Sequence, residues 1–405
     1  MRDDVAIVGA GPAGARAAFV LASRGVRVTI FDWSHPREKP CGGGVTGRAL
    51  AMVADAIDPA EFAASIIRTA RFTDTPAQRA AVVALEDAGA EPALLVVDRA
   101  TFDARLLAAA VRAGATLDRS RVTDVAIGRG RVQLETTNGP RSAAFVVGAD
   151  GANSLVRRRA AAPFRRDQLS IATGFFAHGV TSDQIAIEFT DDPAGYIWSF
   201  PRPTHLAIGI CAQADTGATA AALRGRLSQW IEATGIARGA RLEPYSWPIP
   251  SLSAADFEGA ALSGPRWALA GDAAGLVDPI TREGIFFAIA SGQWIADALL
   301  EDSPQTYAAR AREDALPELS RAAQLKAGFF RPAFTGLLMR GLQQSAAIRA
   351  VMADLIAGRQ SYRSLKWRLV RTFEWRLAIN TALLSGVGRS GHVVSGFSRT
   401  NGGSA

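Results

Sequence analysis

Cysteine is almost absent from this chain. Cys41 and Cys211 are the only two among 405 residues, too few for a disulfide framework and arithmetically too few for a four-cysteine iron–sulfur cluster. Histidine is as sparse, at positions 35, 178, 205 and 392, and none stands at metal-ligand spacing. No metal site is expected, and a redox centre would have to be organic. Lysine is limited to Lys39, Lys326 and Lys366, so the formal net charge of +7 is carried almost wholly by arginine. No zinc-finger or RNA-recognition pattern accompanies that charge, which reads as solubility and genome composition, and no nucleic-acid partner is expected. No run reaches the ~18 uninterrupted apolar residues of a membrane span; even Ile285 to Leu300 contains Gln293 and Asp297. Asp3 and Asp4 precede the first apolar segment, unlike the start of a secretion signal, so a cytoplasmic location is expected. The length allows two or three structural units, and without a low-complexity linker these should be interleaved.

What is present begins with a dinucleotide signature. The apolar run Val5 to Val8 ends in Gly9-Ala10-Gly11-Pro12-Ala13-Gly14, after which Ala15 to Leu21 has helical periodicity. That is strand, tight turn, helix. The glycines permit the turn, backbone approach to a pyrophosphate and close helix packing, while the helix N-terminus supplies N–H groups and positive dipole. A second strand, Arg27 to Phe31, stops at Asp32, about 20 residues past the glycines, where a carboxylate can accept ribose hydroxyls.

Later segments repeat the strand-to-loop junction. Arg99 precedes Thr101, which is placed to cap a helix, and an arginine there suits a charge-assisted contact with pyrophosphate as well as it suits the surface. Val122 to Val132 reads as strands around Gly128-Arg129-Gly130. Phe145 to Val147 runs into Gly148-Ala149-Asp150-Gly151, and Trp267 to Ala270 runs into Gly271-Asp272, with Gly284-Ile285 opening a later helix. Such a helix start can stabilise negative charge on a bound group. In order and type these segments resemble the flavin-binding fold of the aromatic hydroxylases. The resemblance implies FAD, bound non-covalently, with Asp272 on the ribityl chain, Asp150 near the pyrophosphate and Val122 meeting the adenine through its backbone.

Two further motifs bear on chemistry. Lys39-Pro40-Cys41-Gly42-Gly43-Gly44 is too glycine-rich for a helix and reads as a loop that something approaches closely. Tyr196, Trp198 and Phe200, in Tyr-Ile-Trp-Ser-Phe-Pro, alternate onto one face of a strand. They serve either as core aromatics or as the wall of an apolar slot. With the late Gly-Asp motif, these segments resemble the geranylgeranyl reductase family, which carries Lys-x-Cys-Gly-Gly-Gly beside the isoalloxazine. Arg282 departs from that pattern, standing where the family has glycine before Glu283. Cys41 is either a small buried side chain or a thiol that gives or relays a proton.

The expected fold class is α/β. A Rossmann-type FAD-binding domain (1–72, 97–160 and 260–300) is interleaved with an antiparallel-sheet substrate domain (73–96 and 161–259) and followed by a helical C-terminal region (301–405). Without a second Gly-x-Gly-x-x-Gly unit, NAD(P)H or ferredoxin is expected to dock transiently as electron donor. Leu365, Leu369, Phe373 and Leu377, interleaved with Lys366, Arg368, Arg371 and Arg376, form a basic amphipathic stretch. It either packs on its own domain or makes peripheral contact with the inner membrane surface through 360–380. The resemblance implies an oxidoreductase that passes hydride from reduced flavin to double bonds of an isoprenoid chain, with an isoprenoid lipid as partner. The alternatives are a flavin monooxygenase or halogenase on the same fold, from which the halogenase motif Trp-x-Trp-x-Ile-Pro is missing here, and a flavin-binding protein without catalysis.

Overall fold

The computed structural model describes residues 4–75, 77–87 and 92–371. Its first sheet is built on Val5–Val8, whose four residues are all buried, as expected for a short apolar run covered on both faces. Parallel neighbours Phe145–Gly148 and Val28–Phe31 flank it. Trp267–Leu269 extends one side, followed by the antiparallel edge Ser263–Gly264, and Thr116–Asp118 closes the other. A three-stranded antiparallel meander, Val122–Ile127, Val132–Thr136 and Arg141–Ala143, stands beside it.

The helix Pro12–Ala22 starts with proline in its first turn, where a missing N–H costs nothing. Small residues let it approach its neighbours at backbone distance. A Cβ on Gly14 would overlap the Gly9 carbonyl, and one on Gly292, in the helix Ile285–Leu300, would overlap the carbonyl of Ala13. Gly9 itself has φ +104°, and a Cβ there would collide with the Ala149 carbonyl. The first turn is thereby pressed against the loop that carries Asp150.

The second sheet has seven strands in the order Arg241–Pro250, Leu169–His178, His205–Gln213, Ala194–Pro201, Gln184–Asp191, Thr69–Asp74 and Arg79–Ala84. Every pairing is antiparallel except that of Gln184–Asp191 with Thr69–Asp74. On one face Ile197, Ile208 and Ile210 pack under the helix Ala220–Thr234. By alternation the opposite face carries Ile187, Phe189, Tyr196, Trp198 and Phe200. The C-terminal helices, Leu316–Phe329, Pro332–Gln344, Ala346–Ile356 and Tyr362–Arg371, join an apolar cluster with Phe72, Val83 and Ile185 from this sheet. A small antiparallel sheet of Gly44–Thr46, Leu94–Val97 and Ala64–Ile66 links the two large ones.

The amphipathic stretch near the C-terminus is described only in part. Leu365 and Leu369 are buried in the same cluster, while Lys366 and Trp367 are exposed. Phe373, Arg376 and Leu377 lie outside the described residues. Among the described residues no helix is long and apolar enough to cross a membrane.

The crossing of Pro12–Ala22 with Ile285–Leu300 yields a direct test. Gly292→Val must push the helices apart and should cost about 1–3 kcal/mol of stability, read as a lower midpoint in thermal unfolding; an unchanged midpoint would contradict the packing.

Candidate active site

The predicted residues fall into two groups. One surrounds the start of Pro12–Ala22, which has Gly11 at its N-cap, no side-chain cap and no acidic residue in its first turn. Its leading N–H groups therefore face the turn without a competing carboxylate from the helix itself. Asp150 is held beside Gly9. One of its oxygens accepts from the amides of Leu155 (2.6 Å) and Val156 (3.3 Å), while Oδ1 is buried with no partner. Burial pushes the Asp150 carboxyl up despite these donors.

Asp32 behaves differently from a free ribose acceptor. Its Oδ2 accepts from the Ala10 amide (2.8 Å) and His35 Nδ1 (2.7 Å), and its Oδ1 from the amides of Ser34 and His35 and the Ser34 hydroxyl. Burial alone would raise the Asp32 carboxyl, but the bond and charge of His35 with the Ala10 and Ser34 amides outweigh it, so it stays well below the usual carboxylate range. The carboxylate closes its own turn. Holding a ribose would mean exchanging one of those bonds.

The second group lines one cavity of about 300 Å³. Pro12, Cys41, Gly42, Gly43, Arg99, Asp272, Gly284 and Ile285 contribute to its wall together with Tyr196, Trp198 and Phe200. Gly9, Gly11, Ala13, Gly14, Asp32, Val122 and Asp150 are not part of that wall; Val122 opens the first strand of the meander. Only Pro12, at the helix start, belongs to both groups.

The glycine loop is packed by the aromatic motif. A Cβ on Gly42 would overlap the Phe200 ring, and Gly43, at φ +86°, would drive one into the Val97 carbonyl. The residue after that motif, Arg202, is wholly buried, with 0 % exposure. It donates to the Cys41 carbonyl (2.7 Å) and the Gly42 carbonyl (3.5 Å) and is paired with Glu38. A guanidinium this deep is tolerable only with such partners.

Glu38 has a second duty, which corrects the expected helix start. The helix begins at Arg99 with Asp98 as N-cap residue, not at Thr101. Asp98 makes no side-chain cap, and Glu38 instead accepts from the amides of Arg99 (3.2 Å) and Ala100 (3.1 Å). A carboxylate from a distant loop thus does the capping. Arg99 is buried and forms a two-pronged pair with Asp103 (2.9 and 2.8 Å), and its other nitrogen reaches Cys41 Sγ at 3.5 Å. Arg202, Glu38, His35 and Asp103 were not foreseen from sequence. The available hint was position alone, since Arg202 follows the aromatic motif and Glu38 precedes Lys39.

Elsewhere on the wall, Lys39 and Asp272 form an ion pair at 2.9 Å. The Tyr196 hydroxyl donates to the Thr281 carbonyl at 2.8 Å, and burial holds its phenol protonated far above neutral pH. Gly284 is the N-cap of Ile285–Leu300, again without a side-chain cap. Among the described residues, no group of three or more His, Cys, Asp or Glu side chains is placed to hold a metal ion.

The uncapped helix start, the glycines that admit no side chain and the unpartnered Asp150 oxygen fit a dinucleotide, and Asp272 and Gly284 at the cavity fit its flavin half. Comparison agrees with this. A family model described as FAD binding domain matches residues 2–232. A digeranylgeranylglycerophospholipid reductase of Methanothrix thermoacetophila is 29% identical over 364 residues, covering 82% of this chain and 88% of that protein. A menaquinone reductase of Mycolicibacterium smegmatis is 30% identical over 327 residues, 76% and 78% of the two chains. Among solved structures, a geranylgeranyl bacteriochlorophyll reductase-like protein from Thermoplasma acidophilum superposes with a TM-score of 0.76 at 25% identity, over 91% of this chain and 99% of that one. A flavin-dependent brominase reaches a TM-score of 0.71 at 18% identity, over 92% and 99% of the chains, a likeness of fold alone.

The clamp on the glycine loop can be tested without any substrate. Arg202→Ala removes the donor that holds the Cys41 and Gly42 carbonyls and the partner of Glu38, and should cost about 1–3 kcal/mol, together with loss of retained FAD. Thermal unfolding and flavin per chain after gel filtration measure both, and wild-type values for each would remove the clamp from the account.

Proposed function

We propose that this chain, which belongs to the FAD binding domain family and to the geranylgeranyl reductases within it, adds hydrogen across double bonds of an isoprenoid chain. The observation that carries this reading is one cavity whose wall joins the Cys41–Gly44 loop to an extended apolar lining. Phe72, Ile187, Phe329, Leu338, Met352 and Leu365 belong to that lining, which offers a long hydrocarbon dispersion contacts and almost no hydrogen bonds.

In this proposal the first turn of Pro12–Ala22 faces the pyrophosphate of FAD, with Gly9, Gly11, Ala13 and Gly14 giving it access, and Asp150 and Asp32 stand at the same strand ends. Val122 offers its backbone to the adenine. Asp272 takes the ribityl hydroxyls in place of Lys39, and the Gly284–Ile285 helix start favours negative charge on the reduced ring. When bound, reduced flavin supplies a hydride to one alkene carbon. Cys41 gives its thiol proton to the other carbon, so that one C=C π bond is replaced by two C–H bonds. The thiolate left behind is stabilised by Arg99 beside Sγ and regains its proton from solvent. Tyr196, Trp198 and Phe200 orient the chain over the loop. Electrons for the next turnover come from a donor that docks and leaves, NAD(P)H or a ferredoxin. Contact with an anionic membrane through 360–380 would use the outer side of Tyr362–Arg371, where Lys366 and Trp367 are exposed.

The reaction class is decided by anaerobic reduction of the purified flavoprotein followed by addition of geranylgeranyl lipids, and separately of aromatic substrates with oxygen. A product heavier by pairs of hydrogens is expected; incorporation of oxygen or halogen into an aromatic ring would replace this reading with the monooxygenase or halogenase one. Cys41→Ala should lower kcat on the order of 10²-fold, the size of a lost general acid, at unchanged flavin content. Full alkene reduction by that variant would leave Cys41 a packing residue.

A further inference from the structure

Behind Cys41 the buried charges form an unbroken line. Asp32, His35, Asp103 and Arg99 make it up, none of them more than 8 % exposed. His35 Nδ1 lies 2.7 Å from Asp32 Oδ2, and Nε2, across the ring, lies 3.6 Å from Asp103 Oδ2. That same Asp103 oxygen accepts from Arg99 at 2.8 Å, and a further guanidinium nitrogen of Arg99 ends the line at Cys41 Sγ, 3.5 Å away. The signs alternate from carboxylate to sulfur. The turn after Val28–Phe31, the helix Arg99–Arg112 and the glycine loop each contribute a member.

Burial by itself would strip His35 of its charge, but the bonds and charges of Asp103 and Asp32 outweigh it and raise the imidazole above its usual range. Burial opposes Arg99 as well, and the charge of Asp103 foremost keeps the guanidinium protonated. A guanidinium does not give up its proton in a protein, so the line transmits charge and not protons. Clasped by Asp103 alone, Arg99 forms a neutral pair with little to offer a thiolate. An imidazolium on the other side of Asp103 offsets that carboxylate and leaves a positive excess at the sulfur end, while Asp32 lies one group farther away. Other charged groups nearby are committed elsewhere: Arg119 to the His35 carbonyl, and Arg202 and Glu38 to each other and to backbone. Fastening the turn to the helix needs no ions, since neutral partners would do so with less desolvation.

We propose that His35 is a positioning residue for the Cys41 thiol: held as a cation between Asp32 and Asp103, it leaves the charge of Arg99 free to act on Sγ and so makes the thiol a stronger acid. The consequence for turnover rests on the proton-donor role given to Cys41 above; the charge relation itself does not.

The test reads thiol reactivity in the FAD-loaded protein. Cys41 is partly exposed and Cys211 wholly buried, so alkylation by iodoacetamide, mapped by peptide mass, reports Cys41. His35→Gln should react about tenfold more slowly than wild type near about pH 6, the effect of roughly one unit of thiol acidity. The two rates should converge as the pH rises past the imidazole titration, where wild-type His35 also becomes neutral. Asp32→Asn, which weakens the hold on that proton, should move the convergence to lower pH. In an Arg99→Gln background His35→Gln should have no further effect, because it acts through Arg99. Equal rates at every pH, or one constant factor across the whole range, overturn the proposal, since a change of packing alone would not follow the imidazole. Independently of any variant, NMR titration of His35 in the wild type overturns it if the ring is neutral below about pH 6.5. No isoprenoid enters these measurements. Should they hold while Cys41→Ala still reduces alkenes in full, the charge relation stands and the proton-donor reading falls.

Discussion

One buried guanidinium organises the chemistry of this protein. Arg202 has left water entirely, so its charge must be met by the protein, and the groups that meet it are the backbone of the glycine loop and the carboxylate of Glu38. Glu38 is committed in turn to the first amides of the helix that begins at Arg99. The strand that Arg202 follows, the loop that carries Cys41 and the helix that carries Arg99 are therefore fixed to one another. The approach of Arg99 to the Cys41 sulfur is a consequence of that arrangement.

The same constraint explains why two motifs far apart in the sequence occur together. Gly42 has room for no side chain because the Phe200 ring occupies the space, and Phe200 is held there by the strand that also delivers Arg202. The loop cannot relax toward the sheet or away from it. Apolar residues from the sheet and from the C-terminal helices then complete the cavity. Beside the Cys41 sulfur in this cavity stands Arg99, held in place by its two-pronged pair with Asp103.

Much of this was legible in the chain because it is local. Uninterrupted apolar runs marked Val5–Val8 and Phe145–Gly148 as covered strands, and glycine clusters marked turns that no other residue can make. The alternation of Tyr196, Trp198 and Phe200 correctly put them on one wall. What was not legible joins distant positions. Arg202 and Glu38 stand 164 residues apart, and no periodicity couples them. The capping of Arg99 by Glu38 misled the reading toward Thr101, since a local hydroxyl is the ordinary signal for a helix start. Asp32 was read as open to a ligand because its closest partners, Ser34 and His35, become donors only once the turn has formed.

The order of strands also carries a consequence for biosynthesis. Thr69–Asp74 pairs with Gln184–Asp191, and Val5–Val8 is flanked by Phe145–Gly148, itself bordered by Trp267–Leu269. As the nascent polypeptide leaves the ribosome, each early segment waits for a mate not yet translated, with apolar edges unpaired and prone to aggregate. Neither lobe can be excised as a contiguous stretch, so a chimera made by swapping one end of the gene would inherit half of two sheets and complete neither.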